Sequence, residues 1–228
     1  MNKRNYQREL DGLLAGLSEE ASAPSLFLHS CCAPCSSYCL SYLCEAFDTT
    51  AYFYNPNISP RREYAFRLEE LRRLLTQLPL KAPVALLEGP YEPEKFAAIA
   101  CGHEGDPEPG ERCRRCYELR LRATARAAAA GGYDYFCTTL SISPHKNAQW
   151  LNEIGRQVGG EEGVPFLPSD FKKKGGYAQS IAYSREYQLY RQDYCGCVYS
   201  AAAAARRRAQ QAAAAPAQKE NEENECRG

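Results

Sequence analysis

The stretch Ser25-Leu-Phe-Leu-His-Ser-Cys-Cys-Ala-Pro-Cys35 carries both fold and chemistry in one run. Residues 25–30 are a short apolar segment of the kind that forms a buried strand. They lead straight into three cysteines, and a helix is predicted to follow over 36–47. A strand opening at its carboxyl end into a loop and then a helix is the repeating unit of parallel α/β sheets. Sites in such sheets form outside the strand carboxyl ends.

The alternation continues outward. Residues 49–54 read as a second strand, ended by Asn55-Pro56-Asn57 and Ser59-Pro60. Residues 61–75 form a helix, with Tyr64, Leu68, Leu71 and Leu75 at helical spacing. A third strand follows at 83–87, then helices at 93–100 and 111–130 joined by a Gly/Pro-rich loop. A fourth strand at 135–139, a helix at 144–155, a fifth strand at 164–167 and a helix at 176–191 complete the series. This pattern predicts an α/β fold with a mostly parallel five-stranded sheet flanked by helices and a metal site at the strand carboxyl ends. Residues 1–200 are expected to form a single catalytic domain. Residues 201–228 are alanine-rich and lack large apolar side chains to dock them, so a frayed or disordered tail is expected.

The 28 basic and 28 acidic side chains cancel. No run is apolar enough to span a bilayer, and the N-terminus lacks a signal peptide's apolar stretch. A cytoplasmic protein with no membrane partner is expected. Twelve cysteines in a reducing compartment argue for metal or thiol chemistry over a disulfide framework. Seven fall in three clusters: Cys31-Cys32-Ala-Pro-Cys35, Cys113-Arg-Arg-Cys116 and Cys195-Gly-Cys197. Cys39, Cys44 and Cys137 read instead as small buried apolar residues, and Cys226 falls in the tail.

Cys113 and Cys116, three apart near a helix start, project from one face and reach a common centre. With Cys31 and Cys32 they supply the four thiolates of a [4Fe–4S] cluster. Zinc accepts the same donors, and spacing alone does not choose. Cys195-Gly-Cys197 suits a small, strained, redox-active disulfide ring, or two further metal ligands. Cys35 is left over, as a ligand for another metal or a bystander. His29 and His145 are ligand or acid candidates. Tyr54, Asn55, Asn57 and Tyr64 suit stacking and hydrogen bonding with a nucleobase, or simple packing. Six arginines lie between residues 112 and 126 against one acid, Glu118. With Lys172–Lys174 and Arg206–Arg208 they point to an anionic substrate.

With these residues in view, the chain resembles the cobalamin-independent epoxyqueuosine reductases of the QueH type. Five ordered segments carry the resemblance. They are His29-Ser-Cys-Cys-Ala-Pro-Cys35, Phe53-Tyr-Asn-Pro-Asn-Ile58, Glu111-Arg-Cys-Arg-Arg-Cys-Tyr-Glu-Leu-Arg120, Thr138-Thr139 with Ser143-Pro-His-Lys-Asn147, and Phe171-Lys-Lys-Lys-Gly-Gly-Tyr177 continuing to Cys195-Gly-Cys197. The resemblance implies reduction of the epoxyqueuosine epoxide at the tRNA anticodon wobble position, the last step of queuosine synthesis. It implies a [4Fe–4S] cluster on Cys31, Cys32, Cys113 and Cys116, and a redox-active pair at Cys195 and Cys197. Cys35 becomes a candidate ligand for a second mononuclear metal, iron or zinc, with sulfur favouring a soft ion. The partners implied are tRNA carrying epoxyqueuosine and an electron donor of unknown identity. Tyr54, Asn55, Asn57, Arg112, Arg115, Lys172 and Lys173 are the substrate-binding candidates. The implied fold is like that of adenine-nucleotide α-hydrolase and PP-loop (HUP-like) enzymes. Their phosphate loop is replaced here by the cysteine segment, so neither ATP nor cobalamin is expected. The alternatives are a zinc-stabilised tRNA-binding module, an ATP-dependent tRNA thiolation enzyme of the same fold, and a metal-free thiol–disulfide oxidoreductase.

Overall fold

The computed structural model describes residues 4–17 and 22–214. The last part of the expected tail, with Cys226, lies outside the described residues. Four strands form one sheet: β1 (Ser25–His29), β2 (Asp48–Phe53), β3 (Ala85–Glu88) and β4 (Tyr135–Thr138). Their order is β3-β2-β1-β4 and every pairing is parallel. β1 is central, which is why four of its five residues are buried.

The expected fifth strand is not formed. Residues 164–167 reach β4 only through one parallel bridge, Phe136 with Phe166. The Phe136 amide donates to the Pro165 carbonyl and the Leu167 amide to the Phe136 carbonyl, at 3.0 and 2.8 Å. Pro165 and Pro168 flank this contact without amide protons to extend it, so the ladder stops.

Among the described residues, eight helices accompany the sheet: α1 (Tyr6–Leu17), α2 (Ala33–Leu43), α3 (Arg61–Gln77), α4 (Pro93–Ala100), α5 (Glu111–Ala130), α6 (Ala148–Glu162), α7 (Gly176–Glu186) and α8 (Val198–Ala214). A 3-10 turn at Thr139–Ile142 follows β4. Strand alternation sorts the core into two layers. Leu26, Leu28, Phe53 and Cys137 face one way and pack with α2 and α3 residues such as Leu40, Leu43, Leu71 and Leu74. Phe27, Tyr52 and Phe136 face the other and pack with Leu121, Leu151 and Val158 of α5 and α6. Each fully buried leucine contributes about 1.5–3 kcal/mol. Cys39, Cys44 and Cys137 are buried in the first layer, with burial pushing the Cys137 thiol up to about 12.

Local signals set where the helices begin and end. α2 starts at Ala33 with Pro34 in its first turn, earlier than expected, so Cys35 rides on the helix start. α6 is delayed to Ala148, where the Asn147 side chain accepts the Trp150 amide. It runs past Gly155 and stops at Gly163, whose φ is +78°. α7 ends at Glu186, short of the expected 191, before Gln188 turns left-handed at φ +50°. Among the described residues, no helix is long and apolar enough to cross a membrane.

Candidate metal and redox centre

A cavity of about 740 Å³ opens beyond the carboxyl end of β1. Its walls include Cys31, Cys32, Cys35, Arg67, Arg120, Lys146 and Cys195. Cys31 and Cys32 leave the end of β1, and Cys35 projects from the first turn of α2. Their sulfurs all lie within 4.8 Å of one another. Cys31 and Cys32 are 3.8 Å apart. The Thr139 hydroxyl donates to Cys31 Sγ at 3.4 Å and accepts the Cys31 amide at 3.2 Å. Hydrogen bonds from Cys31 and then Cys35 hold the Cys32 thiol well below its ordinary range. The sharing of protons with Cys32 pushes Cys31 up to about 12, and sharing with both neighbours pushes Cys35 up. Three thiols sharing protons this closely are a soft donor set suited to a metal ion.

Behind this trio lies a buried polar layer. Arg120 donates to Asn55 Oδ1 at 2.5 Å, and Asn55 donates to the Ser30 carbonyl at 3.0 Å. His29 Nε2 lies 3.1 Å from the Tyr54 carbonyl and Nδ1 lies 2.9 Å from the Thr138 hydroxyl. The two Nε2 contacts ask for opposite tautomers: the Tyr54 carbonyl accepts from Nε2–H, whereas Arg120 Nε donates to a bare Nε2 at 3.3 Å. Burial, then the Arg120 charge, drive the imidazole pKa well below its ordinary value, so His29 is neutral. It organises the β1 end and does not line the cavity.

Cys195-Gly-Cys197 forms the other pole. Its sulfurs stand 3.5 Å apart as free thiols, with the Ser200 hydroxyl 3.0 Å from Cys195 Sγ and 3.4 Å from Cys197 Sγ. The hydrogen bond from Cys197 and the nearby Lys146 ammonium bring Cys195 down to about 5 against its desolvation, and the same bond pushes Cys197 up. Lys146 is itself held by Glu108 at 2.5 Å with 9% of its side chain exposed. Arg67 links the two poles. Its Nη1 donates to the Cys195 carbonyl at 3.1 Å, its Nε pairs with Glu63 at 2.7 Å, and the Cys32 thiolate strengthens its charge. Among the described residues, Arg67 Nη2 is buried with no hydrogen-bond partner.

Cys113 and Cys116 are both buried on the inner side of α5. Cys116 packs with Cys197, Phe96 and Ala100. Both α5 thiols feel the Cys195 charge. The structure thus gathers Cys31, Cys32 and Cys35 into one group, packs Cys116 with Cys195 and Cys197, and puts Cys113 in the core layer that Cys31 borders.

The sequence-derived substrate residues are placed elsewhere. Tyr54 donates to Glu92 at 2.9 Å and lines a second, 410 Å³ pocket. Asn55 is committed to Arg120 and Ser30, and Asn57 is buried with its Oδ1 unpartnered. Arg112 is buried, donating to the His103 and Glu104 carbonyls at 2.7 and 2.9 Å beneath the Tyr199 ring. A guanidinium so committed is not free for phosphate. Arg115 pairs with Glu111 at 3.5 Å, and Lys172 pairs with Asp170. Arg122 and Arg126 are tied to Glu161 and Glu162. Within the 112–126 stretch Arg115, Arg122 and Arg126 thus pair with acids, while Arg112 and Arg120 are held by neutral acceptors.

Arg67, Lys146 and Ser200 were not singled out in the sequence. Arg67 did leave a signal: it occupies an apolar-stripe position of α3, between Tyr64 and Leu71, where a charged residue must have a buried partner. Lys146 belongs to Ser143-Pro-His-Lys-Asn147, a motif noted only for its resemblance.

Residues 26–203 match the family model described as epoxyqueuosine reductase QueH. The epoxyqueuosine reductase QueH of Streptococcus pyogenes serotype M1 is 43% identical over 201 residues, covering 87% of this chain and 79% of the relative. That of Staphylococcus epidermidis is 43% identical over 203 residues, covering 87% and 85%. That of Thermotoga maritima is 34% identical over 179 residues, covering 77% and 90%. Among solved structures, the NMN synthetase from Francisella tularensis aligns with a TM-score of 0.44 and 14% identity, covering 84% of this chain and 75% of the other. That likeness is too loose to establish a shared fold.

Proposed function

The chain belongs to the epoxyqueuosine reductase QueH family, and from that premise we propose how its thiol-lined cavity works. The chain reduces the cyclopentane epoxide of epoxyqueuosine, at the wobble position of a tRNA anticodon, to the alkene of queuosine. This is the last step of queuosine biosynthesis. Two electrons and two protons enter, and water leaves. The observation that carries the site assignment is the convergence of Cys31, Cys32, Cys35 and Cys195 on one cavity. Its volume of about 740 Å³ suits a modified nucleoside, whose base must leave the anticodon stack to enter. Residues 1–200 act as one catalytic domain of HUP-like arrangement.

The donor set fits a soft metal centre, since three thiols meet within 4.8 Å on the cavity wall. Cys31, Cys32, Cys113 and Cys116 would hold a [4Fe–4S] cluster, and Cys35 a second mononuclear metal, iron or zinc. The inward, buried placement of the α5 pair supports its inclusion. Such a centre, when bound, supplies single electrons and Lewis acidity. The Cys31–Cys32 separation favours a second reading for that end of the site. Two thiolates on one tetrahedral ion at about 2.3 Å stand about 3.8 Å apart, the distance found here.

The protein's own groups complete the balance. Cys195 thiolate and Cys197 thiol close to a disulfide, releasing two electrons and one proton. Lys146, a charged ammonium on the cavity wall, gives the second proton to the departing oxygen. Arg67 braces the Cys195 carbonyl so that the pair holds its place as the sulfurs change state. An external electron donor then reduces the disulfide.

Iron, zinc and sulfide analysis of anaerobically purified protein, with turnover of epoxyqueuosine-containing tRNA, tests this. Cys113→Ala and Cys116→Ala should each lose iron and turnover together. Turnover without iron would refute the iron–sulfur assignment. Loss of iron in Cys195→Ser would make Cys195 a ligand instead of a reductant.

A further inference from the structure

Helix α8 extends beyond residue 203, where the family match ends, yet it supplies Arg207, Arg208 and Gln211 to the cavity wall. Ala204 is fully buried, three and four residues before these arginines, so the docked face of the helix continues directly into the cavity mouth. The alanines around it favour helix and are too short to shield the arginines. In a chain of zero net charge, the cavity lining is strongly biased. Arg67, Arg120, Lys146, Arg191, Arg207 and Arg208 face only two acids, Glu108 and Asp193.

The inner cations are committed, Lys146 to Glu108 and Arg120 to Asn55. The outer ones are held lightly. Arg208 pairs with Asp193 at 2.6 Å, with the two side chains 59% and 52% exposed. Arg207 donates only to the Asp193 carbonyl, at 3.2 Å. Arg206 is exposed and has no partner among the described residues. An ion pair so exposed is weak and yields readily to a better anion. Guanidinium forks prefer the paired oxygens of a phosphate.

We propose that α8 is a phosphate clamp. Arg207 and Arg208 grip the RNA backbone beside the nucleotide whose base enters the cavity, with the exposed Arg206 adding its charge to the same helix, and Asp193 holds Arg207 and Arg208 in place until RNA arrives. This rests on the function proposed above. It adds α8 to backbone recognition, beside an α5 stretch whose arginines are partly paired within the fold.

The test uses the full chain and a fluorescent anticodon stem-loop RNA, with affinity measured by anisotropy across a salt series. Each phosphate contact to a single strand contributes about 0.7 to the slope of log affinity against log salt. Arg206→Gln/Arg207→Gln/Arg208→Gln should therefore flatten the slope by about 1.4–2.1 and weaken binding roughly tenfold. Circular dichroism and metal content should remain those of the wild type. Unchanged affinity and slope in the folded variant would overturn the clamp. Asp193→Asn decides the matter if the triple variant fails to fold. Removal of the competing acid should tighten binding about two- to threefold, whereas weakening would make the pair a brace for the 191–195 loop and refute the proposal. A wild type that binds RNA with the steep slope but never reduces the epoxide would sink the activity and leave the clamp standing. A wild type that reduces the epoxide, beside a triple variant that binds normally, would sink the clamp alone.

Discussion

Gly196→Ala should damage this protein more than its small size suggests. Gly196 has φ +116°, outside the range L side chains adopt. A Cβ there would sit 2.9 Å from Ile58 Cγ1 and 3.1 Å from Arg67 Nη1, both in fully packed surroundings. The Gly196 carbonyl also accepts the Ser59 amide at 2.9 Å, so the loop cannot swing away freely. The backbone contribution is about 1–2 kcal/mol, and forcing a methyl into packed space costs about 1–3 kcal/mol more. A total loss of about 2–5 kcal/mol is expected. Gly132→Ala is the matched control, because Gly132 has φ +69° with nothing within 4 Å of its added Cβ. It should lose only the backbone share, about 1 kcal/mol. Urea unfolding of both variants reads the difference. Gly196→Ala should also slow epoxide reduction, since Arg67 must release the Cys195 carbonyl to make room. Equal unfolding free energies in the two variants, with activity retained in Gly196→Ala, would show that close packing against Ile58 and Arg67 plays no part.

Further outcomes follow from the same geometry. Cys195, lowered to about 5 by the Cys197 hydrogen bond and then Lys146, should be alkylated by iodoacetamide at neutral pH in the metal-free protein. Its reactivity should fall only as pH drops through about 5, and Lys146→Met should move that midpoint upward; a midpoint near 9 would contradict the arrangement. His29 is neutral in the fold while its unfolded counterpart protonates below about 6.5. Stability should therefore decline as pH falls below 6.5, with a slope of about 1.4 kcal/mol per pH unit from this residue. His29→Gln should flatten that slope in urea midpoints between pH 7.5 and 5.5, and parallel slopes would refute the assignment. Cys39 lies in the apolar layer, so Cys39→Ala should cost roughly 1 kcal/mol and leave iron content unchanged. Loss of metal in that variant would give the residue a different role.

The central strands and the three cysteine clusters were legible because each rests on local pattern. β1 runs into Cys31 without a break, and α5 carries Cys113 and Cys116 at helical spacing. The fifth strand failed because two prolines limit a segment whose apolar residues otherwise fit a strand. Helix α1 was missed although Tyr6, Leu10, Leu14 and Leu17 recur at helical spacing, because Gly12 and Gly16 obscured the stripe. Charge was the least legible property. A string of arginines in α5 looks basic in one dimension, but Glu161 and Glu162 arrive from α6 to neutralise two of them. Arg207 and Arg208 read both as a basic block and as part of a tail, and only the docking of Ala204 brings them to the cavity. Long-range pairing of this kind leaves no local trace.

The cavity's walls come from both ends of the chain, with Cys32 and Cys195 about 160 residues apart. At a synthesis rate of about 5–20 residues per second, the first thiols emerge from the ribosome roughly 10–30 s before the last. Through that interval Cys31, Cys32 and Cys35 have neither Arg67's bridge to Cys195 nor α8 over the opening. They are then an unguarded chelating site on a nascent chain, open to whatever soft ion or oxidant is abundant. For the metal centre proposed above, loading would thus be a matter of timing, with the metal arriving after α8 has docked or displacing an earlier guest.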